Sequence, residues 1–198
     1  MNALIHRPAR ARLVPALVAL FALVLAGPAA AAVSSYVVSL SGPNESPPNA
    51  SPGTGTATVD IDPVAHTMAL NVSFTGLLGT TTACHIHAAT AVAGTGTAGV
   101  ATTTPTFAGF PGGVTSGVYA NTLDMTPASS YNPSYVTAHG GTTAQAEIDL
   151  FAAIAAGKAY LNVHSNVFPG GEIRGFLLPA GGTPALSGTW GRIKNIYR

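Results

Sequence analysis

The sequence has little charge, one tryptophan and a single cysteine among its 198 residues. Because Cys84 stands alone, it cannot form an internal disulfide, and it is either a buried free thiol or a soft metal ligand beside His85. Charged residues make up 8% of the chain. After residue 32 the sequence contains five Lys and Arg and seven Asp and Glu. A nucleic acid partner is therefore not expected, since binding to phosphates requires a basic patch.

Two motifs that would indicate familiar enzyme classes are also missing. The sequence contains neither the Gly-x-Ser-x-Gly turn that carries a hydrolase serine nor a phosphate-binding Gly-Lys-Ser/Thr loop. Few charges combined with many apolar residues also argue against disorder for most of the chain. The composition, rich in Gly, Thr, Ala and Val, favours a single β-domain with many turns.

The first 32 residues have the pattern of a secretory signal peptide. Arg7, Arg10 and Arg12 precede an apolar run over 13–26, and the small residues of 28–32 supply an A-x-A cleavage site. We expect this segment to be removed, leaving no integral membrane segment in a secreted or periplasmic protein.

The remaining chain shows repeated alternation of apolar and polar residues, which is typical of half-buried strands. Strands are predicted over 33–40, 55–61, 67–74, 81–88, 114–123, 158–165 and 172–178, with a further candidate over 100–106. The second and third strands should pair as a hairpin, and so should the last two.

The segment before the last hairpin is predicted to contain the one helix. Thr142 and Gln145 form a capping box, and Ile148, Phe151, Ala152 and Ala155 form an apolar stripe at helical spacing. The region 124–141, which contains Pro127 and Pro133, is predicted to be a long surface connection, and 180–198 a disordered tail.

Three histidines form the candidate site. His85 and His87 are two residues apart on one strand, so both side chains point to the same face, and His164 lies on the C-terminal hairpin. Converging neutral imidazoles are the ligands that zinc and copper prefer. We therefore predict a copper or zinc site at these three residues. His66 is expected to be a solvated turn residue, and His139 is a weaker candidate for an additional ligand.

Several motifs resemble, in order and spacing, those of the CHRD domain family. They are residues 40–42 and 44–48, His85-Ile86-His87, and the runs 156–164 and 168–175. The resemblance extends over about 36–178 and implies a secreted all-β module, without by itself assigning an activity. Together with the strand pattern, it predicts a domain over 33–179. The expected fold is a Greek-key or immunoglobulin-like antiparallel β-sandwich, with one short helix before the C-terminal hairpin.

Three functions are compatible with these residues. The first is a module that binds copper or zinc through His85, His87 and His164. The second is a copper-dependent enzyme, because the His-x-His strand with a nearby arginine resembles copper-zinc superoxide dismutases, and Arg174 would then attract the anionic substrate. The third is a binding or structural module without metal, in which Glu45, Glu172 and Arg174 tie a proline-rich loop to the sheet.

Overall fold

The computed structural model describes residues 33–180, so the predicted signal peptide and nearly all of the predicted tail lie outside the described residues. Within this range the chain forms eight strands and two α-helices, with two short 3-10 turns at Gly42–Asn44 and Ala128–Ser130. The strands are β1 (Ser34–Ser41), β2 (Thr54–Asp62), β3 (Thr67–Thr75), β4 (Thr81–His87), β5 (Gly117–Asp124), β6 (Tyr160–Ser165), β7 (Ile173–Phe176) and β8 (Leu178–Pro179). The helices are α1 (Pro133–Ala138) and α2 (Thr143–Ala155).

All strand pairs are antiparallel and follow the order β4-β6-β7-β1-β2-β3-β5, with β8 also paired to β1. The sheet curls into a half-barrel, and the predicted antiparallel all-β sandwich class is confirmed. Both predicted hairpins are present, since β2 pairs with β3 and β6 pairs with β7. No helix within residues 33–180 is long and apolar enough to cross a membrane.

The core lies on one face of the curled sheet. Strands β1, β2 and β3 bury every second residue, which is the consequence of side chains alternating between the two faces of a strand. On β4 the core-facing residues are Cys84 and Ile86, and on β6 they are Leu161 and Val163. Helix α2 packs against this core through Leu150 and Ile154. Cys84 is thus a buried free thiol.

Two connecting segments differ from the prediction. The 124–141 segment contains the short helix α1, which begins with Pro133 after the Asn132 cap, and it buries Met125, Tyr131 and Tyr135. The prediction of one helix was wrong because proline is compatible with the first position of a helix and does not always mark a loop. The candidate strand over 100–106 makes only isolated bridges at Val100 and Thr102.

Helix α2 begins as predicted, with the Thr142 hydroxyl accepting a hydrogen bond from the Gln145 amide. The predicted apolar stripe was nevertheless wrong. Ile148 is 61% exposed, and the residues that α2 buries are Ala146, Glu147, Leu150, Ala153 and Ile154. The helix carries apolar residues on two nearly opposite faces, so the periodicity of the sequence does not decide which of them meets the sheet.

Candidate metal centre

The centre is built on the face of the sheet opposite the core. Because Cys84 and Ile86 point into the core, their neighbours His85 and His87 point to the other face. This face is covered by loops, so His85 is buried although it lies outside the hydrophobic core.

Strand β6 brings the third histidine to the same place. In the antiparallel register His85 lies opposite Asn162, and His164 lies opposite Ala83, two positions from His85. The ring centroid of His85 is 4.7 Å from that of His87 and 4.6 Å from that of His164. One ligand atom from each of the three side chains lies within 4.8 Å of the other two. The structure therefore brings all three predicted ligands together.

A backbone carbonyl holds each of the three rings in the same way. The Nδ1 atoms of His85, His87 and His164 lie 3.0, 2.8 and 2.9 Å from carbonyl oxygens. Those oxygens belong to Pro105, Ala98 and Pro169, respectively. A carbonyl oxygen only accepts, so each Nδ1 carries the hydrogen and donates. In a neutral ring the lone pair is then on Nε2.

The three Nε2 atoms have no hydrogen-bond partner and are buried. Burying an acceptor without a partner costs free energy, on the order of 1–3 kcal/mol for each group. Three such atoms in one cluster form an arrangement that a metal ion or an ordered water molecule would satisfy. Metal-binding histidines are commonly oriented by a hydrogen bond from their other ring nitrogen to a carbonyl or carboxylate, and these three contacts are of that kind.

Electrostatics keep these rings neutral. Burial lowers the pKa of His85 to about 4, and the Pro105 carbonyl only partly opposes it. Burial likewise lowers the pKa of His87 to about 4, with smaller contributions from His85, His164 and Arg174. The pKa of His164 is also lowered by burial. At neutral pH the cluster presents uncharged imidazoles, the form that binds metal ions.

Tyr160 forms one side of the centre, and the sequence reasoning assigned it no role. Its ring stacks on His87 with centroids 4.6 Å apart and an interplanar angle of 7°. The guanidinium carbon of Arg174 lies 4.7 Å from the centroid of the same ring. Tyr160 thus separates the imidazole from the cation. The alternation of β6 places Tyr160 on the same face of the strand as His164. It does not reveal the contact between Tyr160 and Arg174 of β7.

Arg174 and Glu45 meet beside this tyrosine. The Arg174 Nε donates to the carbonyl of Asn44 and lies 3.8 Å from Glu45 Oε2. Both side chains are nearly fully buried. Burial raises the pKa of Glu45 to about 7, although Arg174 and the Ser46 amide act in the opposite direction. The loop that carries Glu45 is therefore held against β7 through the charged pair.

Glu172 has different surroundings from the Glu45–Arg174 pair. It is 0% exposed, and its carboxylate accepts hydrogen bonds from the Ser51 hydroxyl and from the amides of Leu78 and Gly79. Burial acts to raise its pKa, but hydrogen bonds from Ser165, Ser51 and these amides outweigh burial and lower the pKa. Glu172 connects two loops to the end of the β6–β7 hairpin.

The other two histidines in the described range lie elsewhere. His66 Nδ1 lies 2.9 Å from Glu147 Oε1, in the turn between β2 and β3. His139 Nδ1 lies 2.8 Å from Asp149 Oδ2, between the two helices. His139 therefore does not join the three-histidine cluster as an additional ligand.

The fold and the site together define a class: an antiparallel β-sandwich that carries three neutral imidazoles on its loop-covered face. The CHRD domain model matches residues 36–177, which is well over half of the chain. The chain therefore belongs to the CHRD domain family. No curated protein and no solved structure matches it.

Proposed function

We propose that this protein is an exported CHRD-domain module that binds one transition metal ion, copper or zinc, through Nε2 of His85, His87 and His164. The observation that carries the proposal is the set of three buried Nε2 atoms without partners, each on a ring whose Nδ1 donates to a carbonyl. A metal ion would compensate all three at once.

The donor set supports copper or zinc over harder ions. Imidazole nitrogens suit zinc and copper, whereas calcium and magnesium prefer oxygen ligands. Three protein ligands leave at least one coordination position for water or another ligand, as in open zinc sites. At equal availability copper would bind more tightly than zinc, since affinities of such sites for divalent ions peak at copper.

The surroundings of Arg174 favour a binding role over a superoxide-consuming one. An arginine that guides an anion needs its charge to be accessible and not already paired. Arg174 is 5% exposed, lies 3.8 Å from Glu45 and packs on Tyr160. These contacts support the predicted structural role of Glu45 and Arg174, which is to tie the proline-rich loop to the sheet.

Export is proposed from the first 32 residues. Three arginines followed by an apolar run and an A-x-A site favour cleavage and release to the periplasm or the medium. N-terminal sequencing of the protein recovered from those fractions should find a mature chain that begins near Val33. Recovery of the protein from the cytoplasm with its first residues intact would contradict this part of the proposal.

Metal uptake by the full chain, stripped with a chelator, tests the binding proposal. Equilibrium dialysis against Cu²⁺ or Zn²⁺ should load one ion per chain, and the Cu²⁺ form should show nitrogen splittings from imidazoles in its electron paramagnetic resonance spectrum. His85→Ala should lose this uptake. His139→Ala is the matched control, because His139 contacts Asp149 away from the cluster.

Two results would contradict the binding proposal. One is a folded wild-type protein that takes up less than a stoichiometric amount of either metal. The other is uptake that His85→Ala leaves unchanged. The first result would favour the third possibility, a module in which ordered water satisfies the three Nε2 atoms, and the second would place the metal at other residues.

A further inference from the structure

The outward face of strands β1, β2, β3 and β5 carries an open groove of about 540 Å³, which we call the sheet groove. Threonine, serine and asparagine side chains of β2 and β3 line its middle, and apolar residues of β1 and β5 line its sides. Two of these apolar residues, Val37 on β1 and Val118 on β5, are 46% and 76% exposed. Accessible apolar surface surrounded by polar residues is typical of a binding site.

Three aspartates, which we call the acidic rim, lie at one end of the sheet groove. Asp60 is two residues from Thr58, which lines the groove, so both side chains point to the same face. The next outward row across the sheet contains Asp62 and Asp124, both in register with Thr67. Asp62 and Asp124 accept hydrogen bonds from amides of the adjacent turns, which leaves their charge in place. Within residues 33–180 none of the three aspartates is in an ion pair, so the rim is negative.

The chain leaves the described range beside this rim. The Ala180 amide donates to the carbonyl of Ser35, and Ser35 is paired with Asp60 on the next strand. Residue 181 therefore begins about two strand spacings, roughly 10 Å, from Asp60. The segment 181–198 can extend over about 60 Å, whereas the four strands of the face span only about 15 Å. The segment is thus long enough to cross the whole face.

Segment 181–198 has the composition that this face would bind. It contains Arg192, Lys194 and Arg198 and no acidic residue, while all seven Asp and Glu lie earlier in the chain. It also contains Trp190, the one tryptophan of the sequence. A segment predicted to lack structure of its own can order on a surface that offers opposite charge and apolar contacts.

We propose that segment 181–198 docks on the outward face of its own chain, with Trp190 in the sheet groove and the basic residues at the acidic rim. The spacing supports this arrangement, because Arg192 and Lys194 follow Trp190 by roughly 7 and 14 Å in an extended chain. Asp60 likewise lies about 7 Å along β2 from the groove. The proposal does not depend on the metal centre, which lies at the opposite end of the sheet.

Fluorescence of the purified protein tests the docking directly, because its emission from tryptophan comes from Trp190 alone. In the folded protein at low ionic strength, the emission should lie at shorter wavelength than in the urea-unfolded chain, and acrylamide should quench it less. Sodium chloride at about 0.5 M should move both readings towards those of the unfolded chain, since exposed charges are screened by salt.

Two pairs of variants locate the docking site. Val118→Arg places a long cation in the sheet groove at an exposed position, so the domain should fold while Trp190 takes the emission of the unfolded chain. Ile148→Arg is the matched control, because Ile148 is also exposed but lines a different cavity beside α2. Lys194→Glu should release Trp190 through repulsion from the acidic rim. Lys158→Glu makes the same change of charge outside the segment and should not release it.

Four results would overturn the proposal. The first is wild-type Trp190 with the emission of the unfolded chain, and the second is emission that Val118→Arg leaves unchanged. The third is release by Ile148→Arg instead, which would place the segment in the cavity beside α2. The fourth is protection of Trp190 that needs a partner. Dependence on protein concentration would indicate a second copy, and protection only with phosphatidylglycerol vesicles would indicate a lipid surface.

Discussion

The two ends of the sheet follow the same alternation and differ in what covers their outer faces. On β3 the outward residues Asn71 and Ser73 are exposed, whereas every residue of β6 is buried. The polar groups of β3 can therefore bond to water, while those of β6 must find partners in the loops above them. Burying a polar face under loops lowers stability unless each polar group on it has a hydrogen-bond partner. A bound ligand could supply such partners at the β4–β6–β7 end of the sheet.

The histidines show the same contrast. His66 and His139 each contact a carboxylate, which can pair with a protonated ring. His85, His87 and His164 each contact a carbonyl, which fixes the hydrogen on Nδ1 and leaves Nε2 free. The first arrangement suits an ion pair and the second suits a metal ligand. Substitutions at both kinds of position test this contrast.

The largest difference in the free energy of unfolding is expected between substitutions of two buried carboxylates, Glu172 and Glu147. Glu172→Ala leaves the Ser51 hydroxyl and the Leu78 and Gly79 amides without their acceptor, so we expect a loss of ~3–5 kcal/mol in the free energy of unfolding. Glu147→Ala removes a contact with the half-exposed His66, and it should cost only about 1 kcal/mol. Urea denaturation of both variants measures the difference, and equal losses would contradict it.

Acid should destabilise the metal-free protein through its buried histidines. His85 and His87 have a pKa of about 4 in the folded protein against 6.5 for an ordinary histidine, so between these values the unfolded chain binds more protons. The free energy of unfolding of the metal-free protein should therefore fall as the pH drops from 6.5 to 4, by a few kcal/mol at ~1.4 kcal/mol per pKa unit.

Glu45 acts with the opposite sign. Its pKa of about 7 means that the folded protein takes up a proton before the unfolded chain does, so this group adds stability as the pH falls from 7 towards 4.5. Glu45→Gln should remove that offset and make the loss in acid steeper than in the wild type. A His85→Gln, His87→Gln double variant should flatten the curve. Curves that coincide for all three proteins would contradict the assignment.

Zn²⁺ should stabilise the folded protein through the histidines that contact carbonyls and not through those that contact carboxylates. If Zn²⁺ at 100 times its Kd binds only the folded chain, it should raise the free energy of unfolding by about 2.7 kcal/mol. His164→Ala should lose this gain because one of the three ligands is missing. His66→Ala should retain it, since His66 contacts Glu147 and not the cluster. Thermal melts with and without Zn²⁺ measure both, and equal gains in the two variants would contradict the contrast.

Much of the fold and the grouping of the three histidines could be predicted from local pattern and family motifs. Alternation on β4 places His85 and His87 on one face, and the family motifs add His164. The partners of these rings could not be predicted, because the carbonyls of Ala98, Pro105 and Pro169 have no side-chain signature. The stack of Arg174 on Tyr160 also depends on pairing between β6 and β7 in a register that neither strand specifies alone.

The smallest effect is expected where the sequence pattern was misleading. Ile148 belongs to the predicted apolar stripe of α2 but is 61% exposed, so Ile148→Ala should change the free energy of unfolding by less than ~0.5 kcal/mol. Leu150 is fully buried on the opposite face, and Leu150→Ala should cost ~2–5 kcal/mol. Both substitutions place alanine in the same helix, so helix propensity changes little and the comparison isolates burial. A larger loss at Ile148 than at Leu150 would mean that α2 packs through the predicted stripe.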